Sequence, residues 1–416
     1  MSVVLTPQVS PVTDMKTYDT LGLNLAQGRG YKWLGDQPTA WRVPGYPLLL
    51  AGVYKCLGHS TLAARLLQVV IAFATVWVTY RLALAGFGDA RAAVWAAALV
   101  ALCPTTLLFS HLLMTENLFT LLFTAGLLGA FAWRRRNAAF YAAVGAVLGA
   151  AALVRPIAAV VALTLPILLW VSRQRLPAVL TRTAAAWLGL ALVMSPWWHR
   201  NWRVFHTFIP TDLSAGVTFF IGNNEQAGGR SDFSLVWKLV PRVKDELTRD
   251  RVARREGLAF IRRHPARFLR ILPGKALASW GLDRDGLYAY REGYWGRPRT
   301  LGLLALAPFT LGIAVLLPLA LVTIFSGRPR EPVLWMLWPV FTCWLVAILS
   351  APGARIHAPL VPILAVLAGR CIAERQWQSA LRPRRWNFSA VMLWVVIAVV
   401  VSYWCWEIVE GAARES

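Results

Sequence analysis

Ten long apolar runs, separated by short basic breaks, constrain this chain more than any other feature. They lie near residues 61–84, 89–109, 112–133, 138–154, 156–171, 183–198, 300–325, 332–350, 355–373 and 386–408. A soluble domain has no means of covering that much apolar surface, so the runs predict helices with lipid as solvent. The 57% hydrophobic content and a mean hydropathy of +0.52 agree. Several runs are short or carry proline, which is tolerated where neighbouring helices shelter the backbone. The predicted fold class is an all-α integral membrane protein, a multi-span helical bundle.

Charge sorts the breaks into two sets. One holds Arg81 and Arg91, then WRRRN (133–137), SRQRLPAVLTR (172–182), SGRPR (326–330) and the run from Arg370 to Arg385. The other, with SHLLMTE (110–116), VRP (154–156) and APGARIH (351–357), is sparsely basic. The positive-inside rule puts the first set in the cytoplasm and the second outside. The long segment 199–299 then lies outside; its nineteen Lys and Arg do not decide its side, because long loops cross regardless of charge. The expected organisation is an external first loop with amphipathic helices (1–60), amino-terminal membrane helices (61–198), a large external loop with interfacial helices (199–299), carboxy-terminal membrane helices (300–408) and a tail (409–416).

This parity raises a difficulty at the start of the chain. VTDMKTYDTLGLNLAQGRGYKW (12–33) is polar and amphipathic, is expected outside, and follows no hydrophobic span. The expectation is that a first membrane helix is missing, with MSVVL as its last remnant; the alternative is a short tail that crosses unaided.

A net charge of +23 suits anionic headgroups or an anionic ligand; nucleic acid is a poor third choice and is not expected as a partner. The five cysteines (Cys56, Cys103, Cys343, Cys371, Cys405) lie in apolar surroundings without metal-ligand spacing, and are expected to be small buried hydrophobes. Trp197 and Trp198 are expected in the interfacial belt.

Short motifs follow one another along the chain: TDMKTYDTLGLNLAQGRGY (13–31), WRVPGYPLLLAGVY (41–54), AARLLQ (63–68), HLLMTENLF (111–119), ALVRP (152–156), SPWWHRNWRVF (195–205), IGNNEQAGG (221–229), FIRRHPARFLRILPGK (260–275) and ARIHAPLVPILAVLAG (354–369). In order and sidedness the chain resembles the GT-C superfamily of integral-membrane glycosyltransferases. Within it, the bacterial family-39-like members, relatives of protein O-mannosyltransferases and aminoarabinose transferases, are most similar. The resemblance implies a polyprenyl-phosphate-linked sugar as donor, membrane lipids as surroundings and a glycan, lipid or protein acceptor. It also implies a site on the external, periplasmic side of the cytoplasmic (inner) membrane.

It places the family's catalytic aspartate at Asp14. Asp14 and Tyr18 are four residues apart and share a helical face. A carboxylate there can take the proton of an acceptor hydroxyl during inverting transfer; the competing reading is that Thr13 or Asp14 only caps the helix. Asp19 lies off that face and is expected to be solvated. As the sugar leaves, the lipid phosphate gains charge, so fixed guanidinium groups stabilise the transition state more than the substrate.

Tyr18, Arg42, Arg155, Arg355 and His357 are substrate-binding candidates, the basic ones weighed against snorkelling, a structural ion pair or plain exposure. Glu116 is a second catalytic candidate; it would hold a divalent cation with Asp14, orient the acceptor or pair with an arginine. Oxygen ligands suit Mg²⁺ or Mn²⁺, yet two carboxylates are too few to assign a metal, so no cofactor is assigned. Asn223 and Asn224 complete the substrate-binding set through the family's GNN segment. Residues 244–275 read as basic surface helices lying on the bilayer. A transporter or flippase of an anionic lipid is the alternative function; it needs charges at mid-membrane depth, where these runs are nearly free of them. A subunit without activity is a third reading.

Overall fold

In the computed structural model the described residues are 11, 13–132, 137–231, 234–235, 245–281, 300–326, 331–381 and 388–415. MSVVL and most of the WRRRN, SGRPR and RPRR breaks lie outside them.

Two helices precede the first apolar run: α1 (Thr13–Ala26) and α2 (Gly45–Leu57). The run 61–84 becomes α3 (Thr61–Phe87), opened by the Ser60 side chain accepting from Ala63 N and closed by Gly88 in the left-handed region. The run 89–109 is not one straight helix. It divides into α4 (Ala90–Ala101) and α5 (Pro104–His111), bent by 47°. Proline cannot donate to the preceding turn and disfavours helix in the residue before it, and Cys103 is extended. Next come α6 (Glu116–Ala132) and α7 (Ala138–Ala152). The run 156–171 divides at Thr164 into α8 (Ile157–Leu163) and α9 (Leu165–Val171). Helix α10 (Leu176–Phe205) exceeds the expected 183–198 at both ends, starting with Pro177 in its first turn.

The segment 199–299 contributes α11 (Ala215–Gly222), α12 (Glu246–Arg263) and α13 (Pro265–Ala278). The last part holds α14 (Thr300–Phe325) and α15 (Glu331–Leu349), then two 3₁₀ turns, Ala354–Ile356 and Ala358–Leu360. After them come α16 (Val361–Ala373), α17 (Gln376–Leu381) and α18 (Phe388–Glu415). The run 355–373 therefore begins as 3₁₀ turns, with Pro359 and Pro362 interrupting the first backbone ladder.

The protein is an all-α, multi-pass membrane protein. Among the described residues, α3, α10, α15 and residues Ser389–Glu407 of α18 are long and apolar enough to cross a bilayer. The bent pair α4–α5 makes a fifth span if counted as one. Helices α6, α7 and α16 are apolar but shorter, and α16 is buried almost throughout. Cys103, Cys343 and Cys371 are buried as expected, whereas Cys56 and Cys405 are exposed.

Helices α7 and α10 touch backbone to backbone. A Cβ added to Gly145 would lie 1.8 Å from Ala186 O, and one added to Gly189 would lie 2.0 Å from Ala142 O. Small residues permit this approach, and in lipid close packing replaces the hydrophobic drive for helix association. Gly145→Leu is expected to destabilise the bundle by about 1–3 kcal/mol, the usual cost of overpacking. Thermal unfolding in detergent measures it; an unchanged melting temperature would remove this contact.

The chain order turns four junctions toward one end of the bundle. They are the start of α6, the link from α7 to α8, the link from α15 to α16, and the α1–α2 pair. The charged residues gather there.

Candidate active site

The loop between α1 and α2 is folded back and fastened. Tyr31 Oη donates to Arg42 O and Val43 O at 3.0 and 3.2 Å. Arg200 donates to Thr39 O at 2.7 Å and lies over the rings of Tyr31, Trp197 and Phe205. Glu246 accepts from Thr39 Oγ1 and Ala40 N. Gly45 N donates to Leu153 O at 2.6 Å, and a Cβ at residue 45 would meet that same oxygen at 2.6 Å. Glycine there lets the start of α2 sit against the α7–α8 link. Arg42 is thereby brought to the end of the bundle that carries Arg155.

Five charged side chains meet at this place. Asp14 Oδ1 accepts from Arg42 Nη2 at 2.7 Å, and Asp14 Oδ2 accepts from Arg355 Nη1 at 3.3 Å. Glu116 Oε1 lies 3.3 Å from Arg155 Nη1 and 3.8 Å from Arg355 Nε. Arg355 thus bridges the two acids. Glu116 is 2% exposed, whereas the side chains of Arg42, Arg155 and Arg355 are 26%, 27% and 23% exposed, so a ligand can reach the cations. Arg42 Nε is a buried donor without a hydrogen-bond partner among the described residues. Two carboxylates thus touch three guanidinium groups, each still partly open to a ligand.

Electrostatics follow the geometry. Burial alone would raise the Asp14 pKa, but the charges of Arg42 and Arg355 outweigh it and hold the carboxyl at about 2. Tyr18 is buried, edge-on to Tyr46 at 5.4 Å, and burial raises its phenol while Arg42 opposes the shift. Tyr46 Oη has no partner among the described residues.

Asp14, Tyr18, Arg42, Glu116, Arg155 and Arg355 are therefore brought together. His357, Asn223 and Asn224 are placed otherwise. His357 is 1% exposed, and burial pushes its imidazole down to about 4, so it is neutral. Asn223 and Asn224 are fully buried. Asn223 Nδ2 donates to Phe219 O and Leu349 O, and Asn224 Nδ2 donates to Phe220 O and Ile221 O. Asn224 thus fastens its own turn, whereas Asn223 ties that turn to the end of α15. Asp19 is not solvated: its Oδ1 accepts from Tyr54 Oη at 2.6 Å and lies 2.9 Å from His59 Nε2. Trp197 is buried against Tyr31, donating to Thr211 O, rather than standing in an interfacial belt.

Asp212 is a neighbour that the sequence did not single out. It is buried, and burial raises its pKa to about 6 against the lowering charge of Arg42. No local pattern marks it; only the folded loop brings it toward Arg42. No group of three or more His, Cys, Asp or Glu suited to a metal is present among the described residues.

Comparison with known proteins bears on the segment that builds this end of the bundle. Residues 36–199 match the family model for dolichyl-phosphate-mannose-protein mannosyltransferase. The resemblance to GT-C membrane glycosyltransferases is borne out there, over less than half of the chain. No curated protein matches. Two structures of ArnT from Cupriavidus metallidurans, apo and bound to undecaprenyl phosphate, are 14% identical. They cover 91% of this chain and 76% of theirs, with TM-scores of 0.44 and 0.45. The Archaeoglobus fulgidus oligosaccharyltransferase tethered with an acceptor peptide is also 14% identical. It covers 97% of this chain and 51% of its own, with a TM-score of 0.47. Likenesses at this level assign no residue a role.

Proposed function

We propose that this chain transfers a sugar from a polyprenyl-phosphate donor to an acceptor hydroxyl, with inversion, at the external face of the cytoplasmic membrane. The observation that carries the reading is the cluster itself: Arg42, Arg155 and Arg355 converge on Asp14 and Glu116, and each arginine side chain is about a quarter exposed. A polyprenyl-phosphate sugar is a phosphodiester with a single negative charge, which exposed guanidinium groups can hold. During transfer the acceptor oxygen bonds to the anomeric carbon, the bond from that carbon to the phosphate oxygen breaks, and the hydroxyl proton passes to Asp14. The phosphate leaves as a monoester approaching two negative charges, so its attraction to Arg42 and Arg355 grows along the reaction. Phosphate needs no general acid to depart, so one base and several cations suffice.

Asp14 is a weak base while both guanidinium groups hold it. A donor phosphate that draws Arg42 and Arg355 toward itself raises the affinity of Asp14 for a proton, and the base becomes competent when the donor is in place. Glu116 keeps Arg155 and Arg355 oriented. Tyr18 and Tyr46 wall the site and help to exclude water.

The test is transfer of a labelled sugar from polyprenyl-phosphate donors by the protein in nanodiscs, with Arg42→Ala and Arg355→Ala beside the wild type. Each variant is expected to lose about 10²-fold or more in kcat/KM, the usual scale for removing one transition-state anion donor. Lipid translocation without transfer would replace this reading with the transporter.

A further inference from the structure

Lys275 lies outside the charged cluster, and no role has been assigned to it. It stands on α13 and is 0% exposed. Its ammonium donates to Asn223 Oδ1 at 2.8 Å and to Ser350 O at 3.1 Å, and lies 5.6 Å from the Phe268 ring centroid. Burial lowers its pKa to about 8, with no charged neighbour contributing to the shift. A buried lysine without a counter-ion is costly, and a purely structural position is better filled by an apolar side chain. Its cost points to a task.

The partners of Lys275 indicate what that task is. Asn223 follows the end of α11, and its Nδ2 also donates to Leu349 O and Ser350 O. Ser231 Oγ donates to Pro352 O at 2.5 Å. The segment 349–352 is thus held from α11, from α13 and from residue 231. It leads directly into the 3₁₀ turn Ala354–Ile356, which presents Arg355 to Asp14 and Glu116. Apart from these bonds the segment has little regular structure of its own.

We infer that Lys275 is a positioning residue: by bridging Asn223 and Ser350 it fixes the segment that carries Arg355, and so sets the reach of that guanidinium to the donor phosphate. This rests on the proposed role of Arg355. Lys275 touches no ligand itself, because its side chain is enclosed. The ammonium suits the task because one compact group with three donors can fasten a side-chain oxygen and a main-chain oxygen from different elements. A displacement of about 1 Å at a positioning group can cost on the order of 10²-fold in rate.

The experiment uses the full chain in nanodiscs. Lys275→Met removes the charge and both bonds at similar length; Asn223→Ala cuts the same brace from the other side, so one variant's failure to insert leaves the other to decide. Each is expected to insert and to lose at least tenfold in kcat/KM for the polyprenyl-phosphate sugar. Added to Arg355→Ala, Lys275→Met is expected to cost nothing further, because its effect passes through Arg355. Full additivity, or an unchanged kcat/KM in the single variants, overturns the proposal. A second readout is independent of transfer: trypsin cleavage at the Arg355–Ile356 bond, mapped by mass spectrometry. It is expected to be faster in Lys275→Met than in wild type. Unchanged cleavage overturns the brace even if transfer is lost. Faster cleavage in Lys275→Met, with no sugar transfer even by the wild type, upholds the brace and overturns the glycosyltransferase reading alone.

Discussion

Asp14→Asn should abolish measurable sugar transfer while leaving insertion intact and donor binding equal or tighter. A positioned general base contributes about 10²–10⁴-fold, so the loss should lie at least in that range. Donor binding should not weaken, because Asp14 competes with phosphate for two arginines: Arg42 at 2.7 Å and Arg355 at 3.3 Å. Replacing the carboxylate with an amide removes that competition. Equilibrium binding of polyprenyl phosphate and single-turnover transfer separate the two effects. Weaker donor binding with residual turnover would mean that the carboxylate organises the site and does not take the proton.

The same pairing fixes a pH dependence. The folded protein holds Asp14 at about 2, below its ordinary 3.8. Its contribution to stability is therefore fully present above pH 3.8 and is lost as pH falls toward 2. In kinetics, the acid limb of kcat/KM reports the free enzyme and that of kcat reports the complex. Donor phosphate that draws the arginines away should move the limb of kcat to higher pH than that of kcat/KM. Coincident limbs would show that the arginines stay on Asp14 throughout.

Glu116→Ala carries the largest expected effect on stability. The carboxylate is 2% exposed and lies within 4 Å of both Arg155 and Arg355. Removing one member of a buried ion network leaves its partners uncompensated, at a typical cost of about 3–5 kcal/mol. The arginines are about a quarter exposed, so water reaches them and the cost should lie near the lower end. Glu116→Gln keeps the shape and should cost less. Chemical or thermal unfolding in detergent compares the two; equal stability of Glu116→Ala and wild type would mean that Glu116 is dispensable to the network.

Much of this architecture was readable in advance because it depends on local physics. Apolar run length marks the membrane helices, since lipid forbids unsatisfied backbone over tens of ångströms. Proline at residues 104 and 166 could have foretold the broken runs, since its effect extends only to adjacent residues. The candidate status of Arg42, Glu116, Arg155 and Arg355 came in part from charges standing near the edges of apolar stretches, where a charge is costly and so informative. The motif order, with its resemblance, singled out Asp14 among the acids.

Pairing was beyond the sequence. Arg355 is 341 positions from Asp14, and nothing local specifies that it bridges Asp14 and Glu116. Nothing local singles out Asp212, Lys275 or Tyr46, although the last two lie within named motifs; each gains its character from burial among groups distant in the chain. Asn223 and Asn224 show the converse: the turn-rich GNN stretch attracted a ligand role, but the folded chain encloses both amides in main-chain bonds. The sequence by itself determined that the chain is a helical membrane protein with costly charges at the ends of its spans, because solvation by lipid acts residue by residue. The tertiary structure alone decided which charges face one another, because Coulomb energy depends on distances that only packing sets.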